Sequence, residues 1–504
     1  FFDYTTSSLK GDKAKDLDVS SKGFEEYRYG LHVGGPIIKD RVFLFGSYEK
    51  LKGANLFGAN TPAGTDITQA QYDEIINIAT TQYGYVSGGL PSTQDNFDEK
   101  LLLKLDAVLS DQHRASLTYN YNDGNNISGS DTGSTRLADG NHFYERGAEL
   151  DSIVASVYSD WSDKLSTEVR LGQTKLDNRQ SSLDAASGFA EAQIRSASGA
   201  TVYIGPDDSR QSNDLNWENF TAKFAGTYYT DNDHKITFGV EYEDLEVFNL
   251  FMQHTSGEYR FDSIADFEAA TPARIYYNNS AGTNNPADAA ATFSYATTTL
   301  YVQDDFYLTD DIQVMMGLRY DMWSSDDRPT QNANFTERYG FANTANVDGI
   351  KLLQPRVGFQ WYATDELEVR AGVGLFSGGN PNVWLSNSFS NDGFTQIDTR
   401  EYQLSNYNSD SGTIDLFNTP NVNGGTPGFE VPQELYDIIG DTEIGSGDGK
   451  VNAVDPDFEI PSEWKYSIGA TYTTENEYVI SLDYLYSKKK DAAILRDISI
   501  QNSG

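Results

Sequence analysis

The chain has 504 residues, with 75 Asp and Glu against 37 Lys and Arg, a formal net charge of −38 and a sequence pI near 4.3. That field repels phosphate backbones and argues against nucleic acid as a partner; the lack of cysteine excludes disulfides and thiolate metal sites, and only five histidines argue against a histidine metal centre. No run of 18 apolar residues supplies a transmembrane helix, although membrane-spanning strands leave a far weaker hydropathy signal, and 32 Tyr, 27 Phe and 44 Gly favour pleated strands and turns over disorder.

Strands are expected wherever apolar residues alternate with polar ones, because successive side chains on a strand point to opposite faces. Leu101, Leu103, Leu105, Ala107 and Leu109 share a face. Ala115, Leu117, Tyr119 and Tyr121 share the next, against Ser116, Thr118 and Asn120. Ile153, Ala155, Val157 and Trp161 then oppose Ser152, Ser156 and Asp160. The clearest run sets Ile312, Val314, Met316, Leu318, Tyr320 and Met322 against Gln313, Gly317, Arg319 and Asp321. Leu367, Val369, Ala371, Val373 and Leu375 alternate with Glu368, Arg370, Gly372 and Gly374, and Tyr478, Ile480, Leu482, Tyr484 and Tyr486 with Glu477, Ser481 and Asp483.

The connections are of two kinds. Short polar turns fall at Lys39-Asp40, Ser110-Asp111, Ser162-Asp163-Lys164, Asp231-Asn232-Asp233, Thr309-Asp310-Asp311, Thr364-Asp365-Glu366 and Thr474-Glu475-Asn476. Long ones fall at about 52–95, 125–146, 179–214, 252–291, 325–350 and 379–461. Short and long alternate strictly, as in an up-and-down meander whose long loops all leave from one end. Trp161, Tyr307, Trp361, Tyr362 and Tyr478 flank the short turns, where a membrane interface would hold rings with one wet edge. The fold expected is all-β: a transmembrane antiparallel up-and-down β-barrel with about 15 strands present, long extracellular loops, short periplasmic turns and next to no helix outside the loops. Ile312, Val314, Met316, Leu318, Leu367, Val369, Val373 and Leu375 are expected to face lipid, and Arg319, Glu368 and Arg370 the lumen.

Several stretches resemble the barrel of TonB-dependent outer-membrane receptors, specifically the Oar-like group. They are Tyr29-Gly30-Leu31-His32-Val33-Gly34-Gly35-Pro36-Ile37-Ile38-Lys39-Asp40-Arg41-Val42-Phe43-Leu44-Phe45-Gly46-Ser47-Tyr48-Glu49; Tyr301-Val302-Gln303-Asp304-Asp305-Phe306 running into Gly317-Leu318-Arg319-Tyr320-Asp321; Gln354-Pro355-Arg356-Val357-Gly358-Phe359; and Asn452-Ala453-Val454-Asp455-Pro456-Asp457-Phe458 before Ile460-Pro461. The resemblance implies a barrel of about 22 strands closed by an N-terminal plug. It also implies transport across the bacterial outer membrane and coupling to TonB–ExbB–ExbD through a segment upstream of the plug. Phe1-Phe2-Asp3-Tyr4 falls in the first barrel strand, so residues 1–504 read as a partial barrel domain, a processed chain or fragment without the plug or about the last seven strands. The partners implied are outer-membrane lipid, lipopolysaccharide and a surface lipoprotein or other membrane protein. Two other readings stay open: a passive pore or structural surface barrel, and a soluble acidic extracellular protein that binds glycans. The substrate class stays open among glycan, peptide, protein and metal chelate.

No catalytic constellation is present: the sequence has no nucleophile elbow, no His-Glu-x-x-His and no phosphate loop, and no enzyme activity is expected. The run Gly445-Ser446-Gly447-Asp448-Gly449-Lys450-Val451-Asn452-Ala453-Val454-Asp455 resembles the second half of a calcium loop, although Ile444 stands where the first ligand would be. Asp448, Asn452, Asp455 and Asp457 are the Ca2+ candidates. Loop 379–461 carries 14 acidic residues against Arg400 and Lys450. Its aromatics Trp384, Phe389, Phe394, Tyr402 and Tyr407 are candidates for substrate contact, since rings among polar groups suit glycan or peptide capture.

Overall fold

Period-2 alternation, punctuated by polar turns, folds into hairpins that pair in sequence order. The computed structural model describes residues 1–9, 13–14, 17–18, 23–56, 60–91, 93–399, 415–443 and 448–500. Its main sheet has 15 strands. They are β1 (Phe2–Thr6), β2 (Glu25–Ile38), β3 (Val42–Leu56), β4 (Thr93–Ser110), β5 (His113–Ser128), β6 (Tyr144–Ser162), β7 (Leu165–Ser182), β8 (Ser212–Tyr229), β9 (Lys235–Met252), β10 (Ala291–Thr309), β11 (Ile312–Ser324), β12 (Lys351–Tyr362), β13 (Leu367–Ser377), β14 (Ser462–Thr473) and β15 (Val479–Asp491). Each pairs antiparallel with its neighbours in chain order. Every short turn and every long connection expected from the sequence joins the strands it should. Asp40, Asp233 and Glu477 hold the left-handed backbone that tight turns demand, a conformation that Asp tolerates better than Glu.

The two faces of the sheet differ in kind. One exposes Leu117, Ile153, Leu171, Val240, Val302, Met316, Leu318, Val357, Val373 and Ile468, with Trp161, Tyr307, Trp361, Tyr362 and Tyr478 exposed beside the short turns. The other carries charge in pairs. Arg319 Nη1 donates to Glu241 Oε2 at 2.9 Å and Nη2 to Thr299 Oγ1 at 2.9 Å, while Nε sits 2.9 Å from Asp321 Oδ1. Arg370 holds Asp483 at 2.7 Å, Lys223 holds Glu168 at 3.0 Å and Arg28 holds Glu49 at 2.6 Å. The expected sides of Arg319, Arg370, Met316, Leu318 and Val373 are therefore those observed. Leu375 is a correction. It is only 4% exposed, and it joins a cluster with Leu385, Ile460 and Trp464 because residues 379–461 fold back on the upper ends of the strands.

The long connections are not open loops. Among the described residues they contribute five α-helices, α1 (Gln69–Tyr83), α2 (Ile264–Glu268), α3 (Ala333–Tyr339), α4 (Asn382–Ser390) and α5 (Gln433–Gly440), together with a second, 5-stranded sheet. That sheet runs, in spatial order, through Arg274–Tyr276, Glu258–Phe261, Glu191–Arg195, Thr201–Ile204 and Arg136–Ala138. Two of its pairings are parallel, Glu191–Arg195 with Glu258–Phe261 and Thr201–Ile204 with Arg136–Ala138. Purely antiparallel pairing was expected. The difference arises because these strands come from different loops that leave the same end of the main sheet. The largest hydrophobic core of the described residues lies in this cap and includes Ile75, Tyr83, Tyr85, Phe189, Ile194, Ile204, Tyr259, Phe261, Phe267, Leu435 and Ile439.

Candidate functional site

The cap is held by local signals and by buried polar groups. Helix α1 starts at a capping box: Gln71 N donates to Thr68 Oγ1 at 3.2 Å, and Thr68 N donates to Gln71 Oε1 at 2.9 Å. It ends on Gly84 in the left-handed conformation and buries Tyr72, Ile75, Ala79 and Tyr83. Tyr83 stacks on Phe267 at 4.7 Å and donates to the Phe267 carbonyl at 2.6 Å. Asp139, fully buried, accepts from Tyr72 Oη at 2.8 Å, Tyr85 Oη at 2.9 Å, Gly88 N at 2.9 Å and Asn141 N at 3.1 Å, and from Ser87 Oγ. Burial, reinforced by the Asp139 charge, pushes the Tyr72 and Tyr85 hydroxyls far up, so both remain donors.

Two sets of side chains in the cap bring histidine between carboxylates: Asp131, His142 and Asp207, and Asp208, His254 and Glu258. In each set one ligand-type atom per residue lies within 4.8 Å of the others. Among the described residues no other group of three or more His, Asp or Glu does so. The sequence expectation against a histidine centre rested on the number of histidines. It did not foresee that residues from separate long connections would meet, with Asp207 and Asp208 side by side joining the two sets.

His142 is fully buried. Its Nδ1 lies 3.0 Å from the Gly205 carbonyl and its Nε2 3.2 Å from Asp131 Oδ2, with Asp207 Oδ2 at 3.9 Å. Only a doubly protonated ring can donate to both acceptors. Burial alone would lower its pKa, but the hydrogen bond to Asp131 and the charges of Glu191 and Asp207 outweigh it and raise the value to about 9. Because this exceeds the unfolded value of about 6.5, the stabilisation, about 3 kcal/mol at most, is complete below that pH and is lost as pH rises through about 9. NMR of histidine-labelled protein should show His142 titrating near 9, and Asp131→Asn should lower that value. An ordinary titration near pH 6.5 would refute the ion pair.

Asp448 pairs with Arg338, Asp455 Oδ1 accepts from Asp457 N at 2.9 Å, and Asn452 N donates to the Asn391 carbonyl at 2.9 Å. Asp448, Asp455 and Asp457 do not gather as one group of carboxylates, because a guanidinium and a local turn take their oxygens. Ile444, Gly445, Ser446 and Gly447 lie outside the described residues, as do Tyr402 and Tyr407. Phe394 is buried, and Phe389, half-buried, stacks on Phe293 at 5.0 Å. Trp384, on α4, is the exposed one among the described aromatic candidates.

A family model described as "Outer membrane beta barrel domain" matches residues 61–503. No curated protein matches. Among solved structures the chain is similar to the outer membrane transporter YddB from Escherichia coli, at 13% identity and a TM-score of 0.54, with 92% of this chain and 47% of that one covered. It is similar to the siderophore receptor PirA from Acinetobacter baumannii, at 13% identity and a TM-score of 0.51, with 97% and 52% covered. A mutant of the ferric enterobactin receptor PfeA from Pseudomonas aeruginosa gives 10% identity, a TM-score of 0.50 and the same coverage. The chain thus spans about half the length of these proteins, and at such identities the likeness is one of fold.

Proposed function

The chain belongs to the outer membrane β-barrel domain family, and on that premise we propose that it forms part of the wall and the extracellular cap of a TonB-dependent transporter. The apolar face of the sheet is then its lipid face, and the charged face its lumen. The observation that carries the proposal is the pairing of folded cap and charged lumen. A passive pore needs a wide, open mouth, whereas here the long connections close into a body with its own hydrophobic core. Paired lumenal charges such as Arg319 with Glu241 and Arg370 with Asp483 offer a polar wall against which a plug or a substrate can rest. The three named neighbours are a transporter and two receptors, which supports the same reading. The substrate class stays among glycan, peptide, protein and metal chelate.

Protein purified from outer membranes after expression from its native gene, placed in planar bilayers, should remain closed without substrate. The same preparation should be captured by the periplasmic domain of TonB. Steady open conductance and no capture would favour a passive pore instead.

A further inference from the structure

The two histidine–carboxylate sets differ in one respect that decides what each can hold. His142 has an acceptor at each ring nitrogen and is satisfied by protons alone. His254 is not. It is 2% exposed, and its Nδ1 lies 3.1 Å from Glu258 Oε2 and 3.5 Å from Asp208 Oδ2, yet that buried atom makes a hydrogen bond with neither. A buried ring nitrogen lying between two carboxylate oxygens and hydrogen-bonded to neither suits a shared cation.

The spacing agrees. Ligands at about 2.0–2.1 Å from a tetrahedral metal stand roughly 3.3 Å apart, which falls between the two separations observed at His254. The remaining oxygens are held in place. Glu258 Oε1 accepts from Arg274 Nη2 at 2.5 Å, and Arg274 in turn lies over Tyr276, 4.2 Å from the ring centre. Asp208 Oδ1 accepts from Ser209 Oγ at 3.1 Å, and Asp208 Oδ2 faces Gln253 Nε2 at 3.4 Å. Glu191, also buried, accepts from Asp208 N at 2.6 Å. Glu258 is thus fixed by the guanidinium of Arg274, and Asp208 by its own backbone amide's hydrogen bond to Glu191 and by Ser209. Such positioning of first ligands by outer partners is what tunes metal sites.

We infer that Asp208, His254 and Glu258 bind a divalent transition-metal ion, zinc by their donor set, as a structural cross-link between the β7–β8 and β9–β10 connections. An imidazole nitrogen with two carboxylates favours zinc over calcium or magnesium, which take oxygen alone. Asp208 lies just before β8, and the turn that brings Glu258 beside His254 is closed by the hydrogen bond from Gly257 N to the His254 carbonyl at 3.0 Å. The ion would tie together two connections already joined by the ladder of Glu191–Arg195 with Glu258–Phe261, with Asp208 the partly exposed member of the set and a water as the fourth ligand.

The test uses the full protein in detergent, stripped with chelator and equilibrated with Zn2+ alone. Elemental analysis should find one zinc per chain in the wild type and in His142→Gln. In His254→Gln and Glu258→Gln, affinity should fall about 100-fold or more. Millimolar Ca2+ should not displace the zinc. Cobalt substitution reads the site without any variant, and the visible band of four-coordinate cobalt is expected. Zinc binding by the wild type no tighter than by His254→Gln, loss in His142→Gln with retention in His254→Gln, displacement by calcium, or a cobalt spectrum like that of cobalt in buffer would each overturn the assignment.

Discussion

Replacing Leu318 with arginine is expected to destabilise the folded barrel in liposomes by about 2–4 kcal/mol, the cost of a guanidinium at the lipid midplane. Leu318 is 43% exposed on the apolar face, between Val302 and Pro355 in the ladder. It stands six residues from Ile312, roughly 15 Å up a tilted strand and so near the middle of an apolar band about 25 Å tall. Met315, three residues away and 36% exposed, is on the opposite face, in register with Asp305. Met315→Arg should therefore stay within about 1 kcal/mol of the wild type. Denaturant titration from lipid vesicles reads both. Equal costs at the two positions would mean that the faces are assigned wrongly.

A second substitution should loosen the cap and spare the barrel. In Asp139→Ala the buried hydroxyls of Tyr72 and Tyr85, and the partly exposed Ser87 hydroxyl and Gly88 and Asn141 amides, lose a common, fully buried acceptor. Two buried hydroxyls left without a partner, with the weaker loss at the other three donors, should cost about 4 kcal/mol. Hydrogen exchange in α1 and in residues 136–143 should quicken by roughly a thousand-fold, while the paired amides of β8, β9 and β11 keep their protection. Uniform acceleration across both regions would show cap and barrel to be one cooperative unit. No acceleration would show the Asp139 network to be dispensable.

The barrel was legible in the sequence because its determinants are local. Alternation fixes which residues share a face, polar turns fix where each strand stops, and each strand pairs with the next, so the wall from Phe2 to Asp491 follows from neighbour rules. The cap was not legible for the opposite reason. Its strands are three to five residues long, too short for period-2 alternation to register, and their partners lie in other loops. One signal was available: Thr68 and Gln71 form a Thr-x-x-Gln capping box ahead of the apolar residues of α1. The histidine sets carried no such mark. His254 and Glu258 are four apart in sequence, but Asp208 comes from another connection, and no motif spacing announces that meeting. Leu375 went astray because alternation says which way a side chain points, not what a later loop lays over it.

The way the cap is assembled also sets the order in which the molecule can form. Hairpins of the wall close over short turns, a fast and local event. The cap joins Tyr83 to Phe267 across 184 residues and Tyr259 to Glu430 across 171. Contacts so distant in the chain form only after the strands between them have brought their ends together, because the entropy of closing such loops must first be overcome. The aromatic residues that fill the cap core, among them Tyr83, Phe189, Tyr259 and Phe267, come from separate long connections and gather once the strands between them are paired. Contact order thus makes the cap the last part to mature. A chain stalled at that stage would show a finished wall beneath sticky, protease-sensitive loops.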